Sequence, residues 1–415
     1  MKRIATVVWI GLIWSLAVLA APFDTGPYTG APDGTSIVVS WSGDPGYAAT
    51  IEVSPSSASG WISAATVAPR DPEDDAPVHV SLDGLLPNTQ YEVRVVLQTG
   101  SEVVASPSAH FRTEPPAGEP ISFIVVGDTQ WQWEGVNRLE AVGCAIAAEP
   151  GIDFVLHVGD LVESPAATYW EHWFDSFSAM LLRAPFLPVL GNHEKNHRSY
   201  YAAFELPPGE GRDDERWWAL HWGDVVVVGL DTNVRTAADI RAQQAWAALH
   251  LSGDEPHKFV MFHHPVWSSD AYHGDGYAYD IIYHPIFVEY GVDIVLNGHA
   301  HNYERIVRDG VTYLVLGGGG ASPRPLAETR VEGSVRAIEN HHFYARIDTS
   351  SEGIRVDVPS VAWADDETFK PTPGVLLDWF SLPSRFTDID YVDAWVGLAG
   401  IATLGLWAVL RALIR

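Results

Sequence analysis

The sequence contains very little cysteine and very little lysine. The shortage of cysteine excludes disulfides and thiolate metal sites. Cys144 is the only cysteine among the 415 residues, which rules out an intramolecular disulfide and a zinc site built from several thiolates. Cys144 stands in an apolar run, and we expect it on the buried face of a helix. Lysine occurs only four times, at positions 2, 195, 258 and 370, so nearly all positive charge comes from arginine.

Positive charge is scarce over the whole chain. There are 53 acidic and 25 basic residues, and the formal net charge is -28. Because such a surface repels a phosphate backbone, we expect no nucleic-acid partner. If this protein handles a small anionic phosphate, positive charge has to be concentrated locally, and bound metal ions would do that.

Both ends of the chain are apolar. Residues 1–21 begin with positive charge, continue as an apolar run and end in small residues, which predicts a cleaved signal peptide. Residues 394–410 carry no charge and precede Arg411 and Arg415, which predicts a transmembrane helix with a cytoplasmic C-terminus. The expected location is therefore outside the cytoplasm, with a C-terminal helix anchoring the protein to the membrane. The alternatives are an uncleaved N-terminal anchor, a buried C-terminal helix or a processed sorting tail.

The middle of the chain divides into two parts of different texture. Residues 22–116 contain short strand-like runs separated by Pro, Gly, Ser and Asp, which predicts an all-β sandwich. Residues 119–358 alternate strands with helices over 138–148, 169–182 and 237–251, which predicts an α/β domain. Residues 359–393 are rich in Pro, Asp and Trp without a clear period, and we interpret them as a stalk.

Five strand-like runs of the α/β part end in residue types that bind metal ions. The candidate ligands at these ends are Asp128, Asp160, Asn192, His263, His299 and His301. Because functional groups of open α/β folds gather at the carboxyl ends of strands, we expect all five ends to converge. Carboxylate oxygens and imidazoles suit Mn, Fe or Zn, and a shared carboxylate can hold two such ions together.

The order of these motifs resembles that of the calcineurin-like metallophosphoesterase superfamily. The motifs are Gly-Asp, Gly-Asp, Gly-Asn-His-Glu, His-x-Pro and Gly-His-x-His. Residues 298–305 are similar to purple acid phosphatases in particular. Residues 80–91 resemble a fibronectin type III domain, which those enzymes also carry before the catalytic domain. The resemblance covers roughly residues 25–350 and implies an α/β fold, a metallophosphoesterase-type β-sandwich flanked by helices.

The resemblance also implies a role for each candidate ligand. Asp160 would bridge two metal ions, divalent or trivalent. Asp128 and His301 would belong to the first ion. The second ion would be held by Asn192, His263 and His299.

Two further histidines are assigned by the same resemblance. His193 would lie beside the phosphate and protonate the leaving group, and His273 would face the substrate. In the pair His263-His264 the family pattern makes His263 the ligand, although the reverse assignment is an alternative.

The sequence departs from the pattern at two positions near the first ion. Glu163 stands where purple acid phosphatases have a tyrosine that ligates iron, and Gln130 stands where the wider superfamily often has a histidine. Glu163, Gln130 or water would complete the first site, and we expect no tyrosinate-to-iron colour.

The predicted function is hydrolysis of small phosphate esters, most simply phosphomonoesters. The alternatives are a phosphodiesterase or nucleotide hydrolase on the same scaffold, or a surface binding protein with a vestigial site.

Overall fold

The computed structural model describes residues 23–71, 76–100, 102–130, 137–211, 215–234, 236–274, 278–365 and 367–384. The predicted signal peptide, residues 1–21, lies outside these ranges, so cleavage and export stay predictions of the sequence.

In the described residues of the N-terminal domain, all regular secondary structure is β-strand. One sheet has the order β1-β2-β5 and the other the order β4-β3-β6-β7, with β8 pairing β6. The strands are β1 Phe23–Asp33, β2 Ser36–Gly43, β3 Ala48–Pro55, β4 Ile62–Val67, β5 Val78–Leu82, β6 Gln90–Thr99, β7 Glu102–Ala105 and β8 Ala109–Arg112. Buried residues alternate along β2, β3 and β6, as in a two-sheet sandwich. Tyr91 is buried against Phe111, and its hydroxyl accepts a hydrogen bond from the Leu86 amide. This architecture is consistent with the predicted fibronectin-like domain.

The second domain contains two eight-stranded sheets. The first has the order β11-β10-β9-β21-β22-β20, with β23 and β24 also pairing β22. Its strands are β9 Ile121–Val126, β10 Phe154–His157, β11 Phe186–Pro188, β20 His341–Phe343, β21 Ala345–Ser350, β22 Gly353–Ala364, β23 Phe369–Pro371 and β24 Leu376–Pro383. The second has the order β12-β13-β14-β15-β16-β18-β17-β19. Its strands are β12 Gly209–Glu210, β13 Trp217–Trp222, β14 Val225–Gly229, β15 His257–Met261, β16 Ile294–Asn297, β17 Tyr303–Arg308, β18 Val311–Leu316 and β19 Ser334–Ile338.

The two sheets pack face to face around one apolar core. Phe123 of β9 stacks on Phe154 of β10 and meets Phe259 of β15 edge-on, with ring centroids 4.9 and 5.1 Å apart. The helices are α1 Arg138–Ala147, α2 Ala167–Leu181, α3 Arg198–Ala203, α4 Ala237–Leu251, α5 Tyr279–Ile282 and α6 His284–Glu289. The three helices expected from the sequence are thus confirmed as α1, α2 and α4. Ala247 and Leu251 of α4 pack on the outer face of the second sheet, beside Val228 of β14.

Parallel pairing sets the direction of the strands that precede the candidate ligands. Strands β9, β10 and β11 are parallel neighbours, and so are β14, β15 and β16. The carboxyl ends of β9, β10 and β11 therefore lie along one edge of the first sheet. Those of β15 and β16 lie along one edge of the second sheet.

The N-terminal domain contacts the second domain through buried side chains. The Tyr28 hydroxyl donates a 2.6 Å hydrogen bond to the carbonyl of Ala203, and its ring lies 5.3 Å from that of Phe174. Arg112 forms a 3.2 Å ion pair with Asp153 at the start of β10. These contacts involve α2, α3 and the amino end of β10, and none of them uses a candidate ligand.

Two sequence-based expectations are wrong for residues near the end of the second domain and on α1. The described part of the predicted stalk, residues 359–365 and 367–384, is not a stalk, because β22 continues to Ala364 and pairs with β24 through a register shift at Pro359. Leu377 and Phe380 are buried in the same core as Phe123. Cys144 lies on α1, but it is exposed, since the buried face of that helix passes through Leu139, Val142, Gly143 and Ile146.

The expectation of a membrane-spanning helix is also wrong. Within the described ranges, no helix has the length and apolar character needed to cross a membrane. Residues 394–410, on which that expectation rested, lie outside those ranges. The architecture is therefore a mixed α/β domain of two sheets preceded by a β domain.

Candidate metal centre

The ends of the five predicted strands meet in one buried place. Both carboxylate oxygens of Asp128, after β9, accept hydrogen bonds of 2.9 Å from the amide of His299, after β16. The amide of Asp128 donates to the carbonyl of Gly159, after β10. Nδ1 of His263, after β15, lies 2.9 Å from the carbonyl of Val158. Chain segments from both sheets are thus connected directly through the site.

Backbone strain is concentrated at these ends. Asp128, Asp160 and His299 have φ angles of 57°, 55° and 67°, a region that residues with a side chain rarely adopt. A Cβ atom on Gly191 would lie 2.1 Å from Oδ1 of Asp160, and one on Gly298 would lie 2.4 Å from Oδ2 of Asp128. Only glycine permits such close approach, and strain of this kind supports a functional hypothesis.

One group of donors surrounds Nε2 of His263. Oδ2 of Asp160 and Oδ1 of Asn192 each lie 3.1 Å from this atom, and Nδ1 of His299 lies 3.2 Å away. Asp160, His263 and His299 each place a potential ligand atom within 4.8 Å of the others. Because a carbonyl can only accept, the contact with Val158 places a proton on Nδ1 of His263 and directs Nε2 to the cluster. Several lone pairs thus face one point, which fits a bound cation.

A second group of donors lies beside Asp128 and also contacts Asp160. Nε2 of His301 is 3.5 Å from Oδ1 of Asp128, while Nδ1 of His301 lies 2.8 Å from the carbonyl of Ser322. That carbonyl fixes the tautomer and directs the unprotonated nitrogen to the cluster. The amide nitrogen of Gln130 lies 3.5 Å from Oδ2 of Asp160 and 3.2 Å from Nε2 of His301.

The electrostatics of the buried acids and imidazoles favour a positive charge between them. Burial raises the pKa of Asp128 to about 7, against the opposing charge of His263. Burial alone would raise the pKa of Asp160 as well, but His263 and His193 hold it below its usual range. Burial would lower the pKa of His263, yet the carboxylates of Asp160 and Asp128 raise it to about 9. The carboxylates of Asp160 and Asp128, which stabilise a proton on His263, would also stabilise a metal ion.

The two expected catalytic histidines lie at the rim of this cluster. Nδ1 of His193 is 2.8 Å from the carbonyl of Glu163, and its Nε2 is 3.8 Å from Oδ2 of Asp160. Burial lowers the pKa of His193, but Asp160 and Glu163 outweigh this and raise it. The ring of His273 lies 4.4 Å from that of His299. Burial and the positive charge of Arg324 lower the pKa of His273.

The geometry also shows which of the neighbouring histidines, His263 or His264, faces the cluster. Nδ1 of His264 lies 2.8 Å from the hydroxyl of Thr232, whereas Nε2 of His263 faces Asp160 and Asn192. All the candidate site residues predicted from the sequence therefore lie close together in the structure. His263, rather than His264, faces the acidic cluster.

Comparison with known proteins gives the family. The family model of the calcineurin-like phosphoesterases matches residues 121–303. This part of the chain is a calcineurin-like phosphoesterase domain. Purple acid phosphatase 15 of Arabidopsis thaliana is 27% identical over 291 residues, which are 58% of this chain and 53% of that protein. The chain thus spans about half the length of the curated relatives it matches.

Solved structures agree on the fold of the phosphoesterase domain and of the β domain before it. Purple acid phosphatase PPD1 from yellow lupin superposes with a TM-score of 0.72 at 18% identity, covering 88% of this chain and 75% of that one. PhoD superposes with a TM-score of 0.64 at 15% identity, covering 88% and 92%. Identities this low establish the fold and nothing finer.

Glu194 holds the phosphoesterase site together, a role that the sequence did not assign. Its buried carboxylate accepts hydrogen bonds from the amides of Asp160, Leu161, Val162 and Gly191 at 2.7–3.1 Å. Burial and the charge of Asp160 raise the pKa of Glu194 to about 7, while the amides oppose the rise. One side chain therefore ties the segment after β10 to the segment after β11. The only signal in the sequence was its position directly after Asn192 and His193.

Replacing Glu194 by Gln is expected to destabilise the domain. An NH2 group would then face backbone N–H donors, and an unsatisfied buried donor costs about 1–3 kcal/mol. Each kcal/mol should lower Tm by about 2–4 °C in a domain of this size. Calorimetry of Glu194→Gln beside the exposed control Glu140→Gln measures this. Equal melting temperatures for the two variants would show that Glu194 does not hold the two segments.

Proposed function

We propose that the protein is a metal-dependent hydrolase of small phosphate esters that prefers monoesters and uses two ions of Mn, Fe or Zn. The observation that carries this proposal is the convergence of buried oxygen and imidazole donors from five strand ends. Burying a carboxylate such as Asp160 among other acids costs free energy unless a cation compensates its negative charge. The family of the domain supports the same function.

The two donor groups suggest how the ions are divided. Asp128 and His301 would hold the first ion. Asn192, His263 and His299 would hold the second, and Asp160 lies between the groups and would serve both. When bound, such ions supply positive charge for the phosphate oxygens and a strong nucleophile from water near neutral pH.

His193 is suited to donate the proton that the leaving group needs. Its Nδ1 donates to the carbonyl of Glu163, which fixes the ring and leaves Nε2 towards the cluster. About a quarter of the side chain is exposed, so a substrate can reach it. A positioned acid of this kind contributes about 10²–10⁴-fold to a rate.

A preference for monoesters is supported by positive charge at the rim. The Arg324 amide donates to the carbonyl of His301, and its guanidinium donates 3.1 Å to the carbonyl of His299. A guanidinium has five N–H donors, so others remain for a phosphate oxygen. A monoester dianion gains more from the positive charge of Arg324 and of protonated His193 than a diester monoanion does.

The test compares p-nitrophenyl phosphate with its bis-ester on purified protein, both stripped by chelation and reloaded with Mn, Fe or Zn. We expect hydrolysis only after reloading, and a larger kcat/KM for the monoester. A larger value for the bis-ester would make the protein a phosphodiesterase. Equal hydrolysis by stripped protein, or none by any loaded form, would contradict the proposal and favour a binding protein with a vestigial site.

A further inference from the structure

Gln130 is a buried polar side chain of the site with one unsatisfied atom. It follows Asp128 by two residues, and it is fully buried. Its amide nitrogen contacts Asp160 and His301, but its amide oxygen, Oε1, has no hydrogen-bond partner among the described residues. Buried amide oxygens nearly always have a partner, so this exception requires an explanation.

We propose that Gln130 is a ligand of the first metal ion through Oε1, beside Asp128, Asp160 and His301. This inference rests on the proposed function, because it assumes that the cluster holds metal ions. Without Gln130, the first site would have few protein ligands, and Gln130 would supply a further one.

The neighbours of Gln130 explain the orientation of its amide, whose nitrogen faces the cluster. Oδ2 of Asp160 is an acceptor, and Nε2 of His301 is one too, because Nδ1 of His301 donates to the carbonyl of Ser322. An NH2 group satisfies two such acceptors, whereas a carbonyl oxygen would be repelled by them. A cation held by the same two atoms reverses the preference, since it repels N–H and attracts oxygen.

The change needed is small. The two ends of a glutamine amide have nearly the same shape, so rotation about the last side-chain bond exchanges nitrogen for oxygen. The backbone at this point is held, because the amide of Thr129 donates to the carbonyl of Asp160 at 2.9 Å. Oε1 would thereby obtain the partner that it lacks, and hard oxygen donors suit divalent ions such as Mn²⁺.

The other candidate at this site, Glu163, contacts the proposed proton donor His193. The backbone carbonyl of Glu163 is 2.8 Å from Nδ1 of His193, and its carboxylate is 3.8 Å from the same atom. Glu163 thus lies beside His193 at the rim of the cluster. A neutral amide adds no negative charge, so we infer that the first site prefers a divalent to a trivalent ion.

The test is a Mn²⁺ titration of chelator-stripped protein by calorimetry, with electron paramagnetic resonance to detect a coupled pair of ions. Wild type should bind two ions and show the coupled signal. Gln130→Leu keeps the volume without a ligand atom, and we expect about 10–100-fold weaker binding of one ion and loss of the coupled signal. Gln244→Leu is the control, because Gln244 donates to the carbonyl of Ile282 on α5, outside the cluster, and it should bind as wild type does.

Gln130→Glu keeps the shape and supplies a charged oxygen, so we expect it to bind the first ion at least as tightly as wild type. This variant decides the question if Gln130→Leu does not fold. Two ions bound by Gln130→Leu with wild-type affinity, or weaker binding by Gln130→Glu, would overturn the role of Gln130 and leave the proposed function intact. A wild-type protein that binds no ions would instead refute the proposed function.

Discussion

Asp160→Ala is expected to lose both metal ions and to reduce kcat/KM for p-nitrophenyl phosphate by more than about a thousandfold. The physical reason is that Asp160 contacts both donor groups, since His263 and Gln130 both lie near its Oδ2 atom, at 3.1 and 3.5 Å. Loss of one electrostatic donor alone costs about 10²–10³ in rate, and this change removes the ligand shared by two cations. Metal analysis after gel filtration, together with steady-state kinetics, measures both effects.

The matched control for Asp160→Ala is Asp153→Asn. Asp153 is also a buried carboxylate of the first sheet, but it lies at the amino end of β10, where it pairs with Arg112 and accepts from the Ser122 amide. This variant should melt at a lower temperature while the folded fraction keeps its metal and its turnover. If Asp160→Ala retained two ions and wild-type turnover, the assignment of a shared ligand would be wrong.

His193→Ala is expected to lower kcat in a way that depends on the leaving group. For an alkyl phosphate, whose leaving alkoxide must be protonated, we expect a loss of about 10²–10⁴-fold. For p-nitrophenyl phosphate the loss should be much smaller, because nitrophenolate departs as a stable anion. Metal content should stay at the wild-type value, since the His193 side chain contacts Asp160 only at 3.8 Å and the backbone amide that donates to Oδ1 of Asp160 is retained in the variant.

The control for His193→Ala is His221→Ala. His221 is a largely exposed histidine on β13 that pairs with Glu255, and its removal should leave both substrates unaffected. An equal loss on the two substrates in His193→Ala would show that the histidine binds or orients the phosphate rather than donating a proton.

The candidate ligands were predictable because their signal is local. An apolar run followed by glycine and then by an oxygen or imidazole donor predicts a strand end, and parallel strands bring their ends together. No knowledge of distant pairing was needed for Asp128, Asp160 or His299. The partners that orient these groups, such as the carbonyl of Val158 for His263, depend on tertiary structure and were not predictable.

The segment after residue 358 was misjudged for a physical reason. Strand β22 shifts register at Pro359, and its buried positions beyond that point are Ser360, Ala362 and Ala364. Small and polar residues there conceal the alternation that marks a strand. The pairing with β24 is a long-range contact, and no local pattern indicates it.

The roles of Glu194 and Gln130 were hidden for a similar reason. Glu194 accepts from amides more than thirty positions away in the sequence, and a buried acid of this kind resembles any other acid in a loop. The sequence showed only that Gln130 departs from a family pattern. Its burial and its unpartnered oxygen became evident only in the folded chain.

Anomalous diffraction from crystals of the Mn-loaded protein tests most directly whether the five strand ends hold a pair of cations. We expect two peaks separated by about 3.5–4 Å, one bounded by Asp128, Asp160 and His301 and the other by Asp160, Asn192, His263 and His299. The absence of any peak at these side chains, in crystals of protein that hydrolyses phosphate esters, would contradict the metal centre.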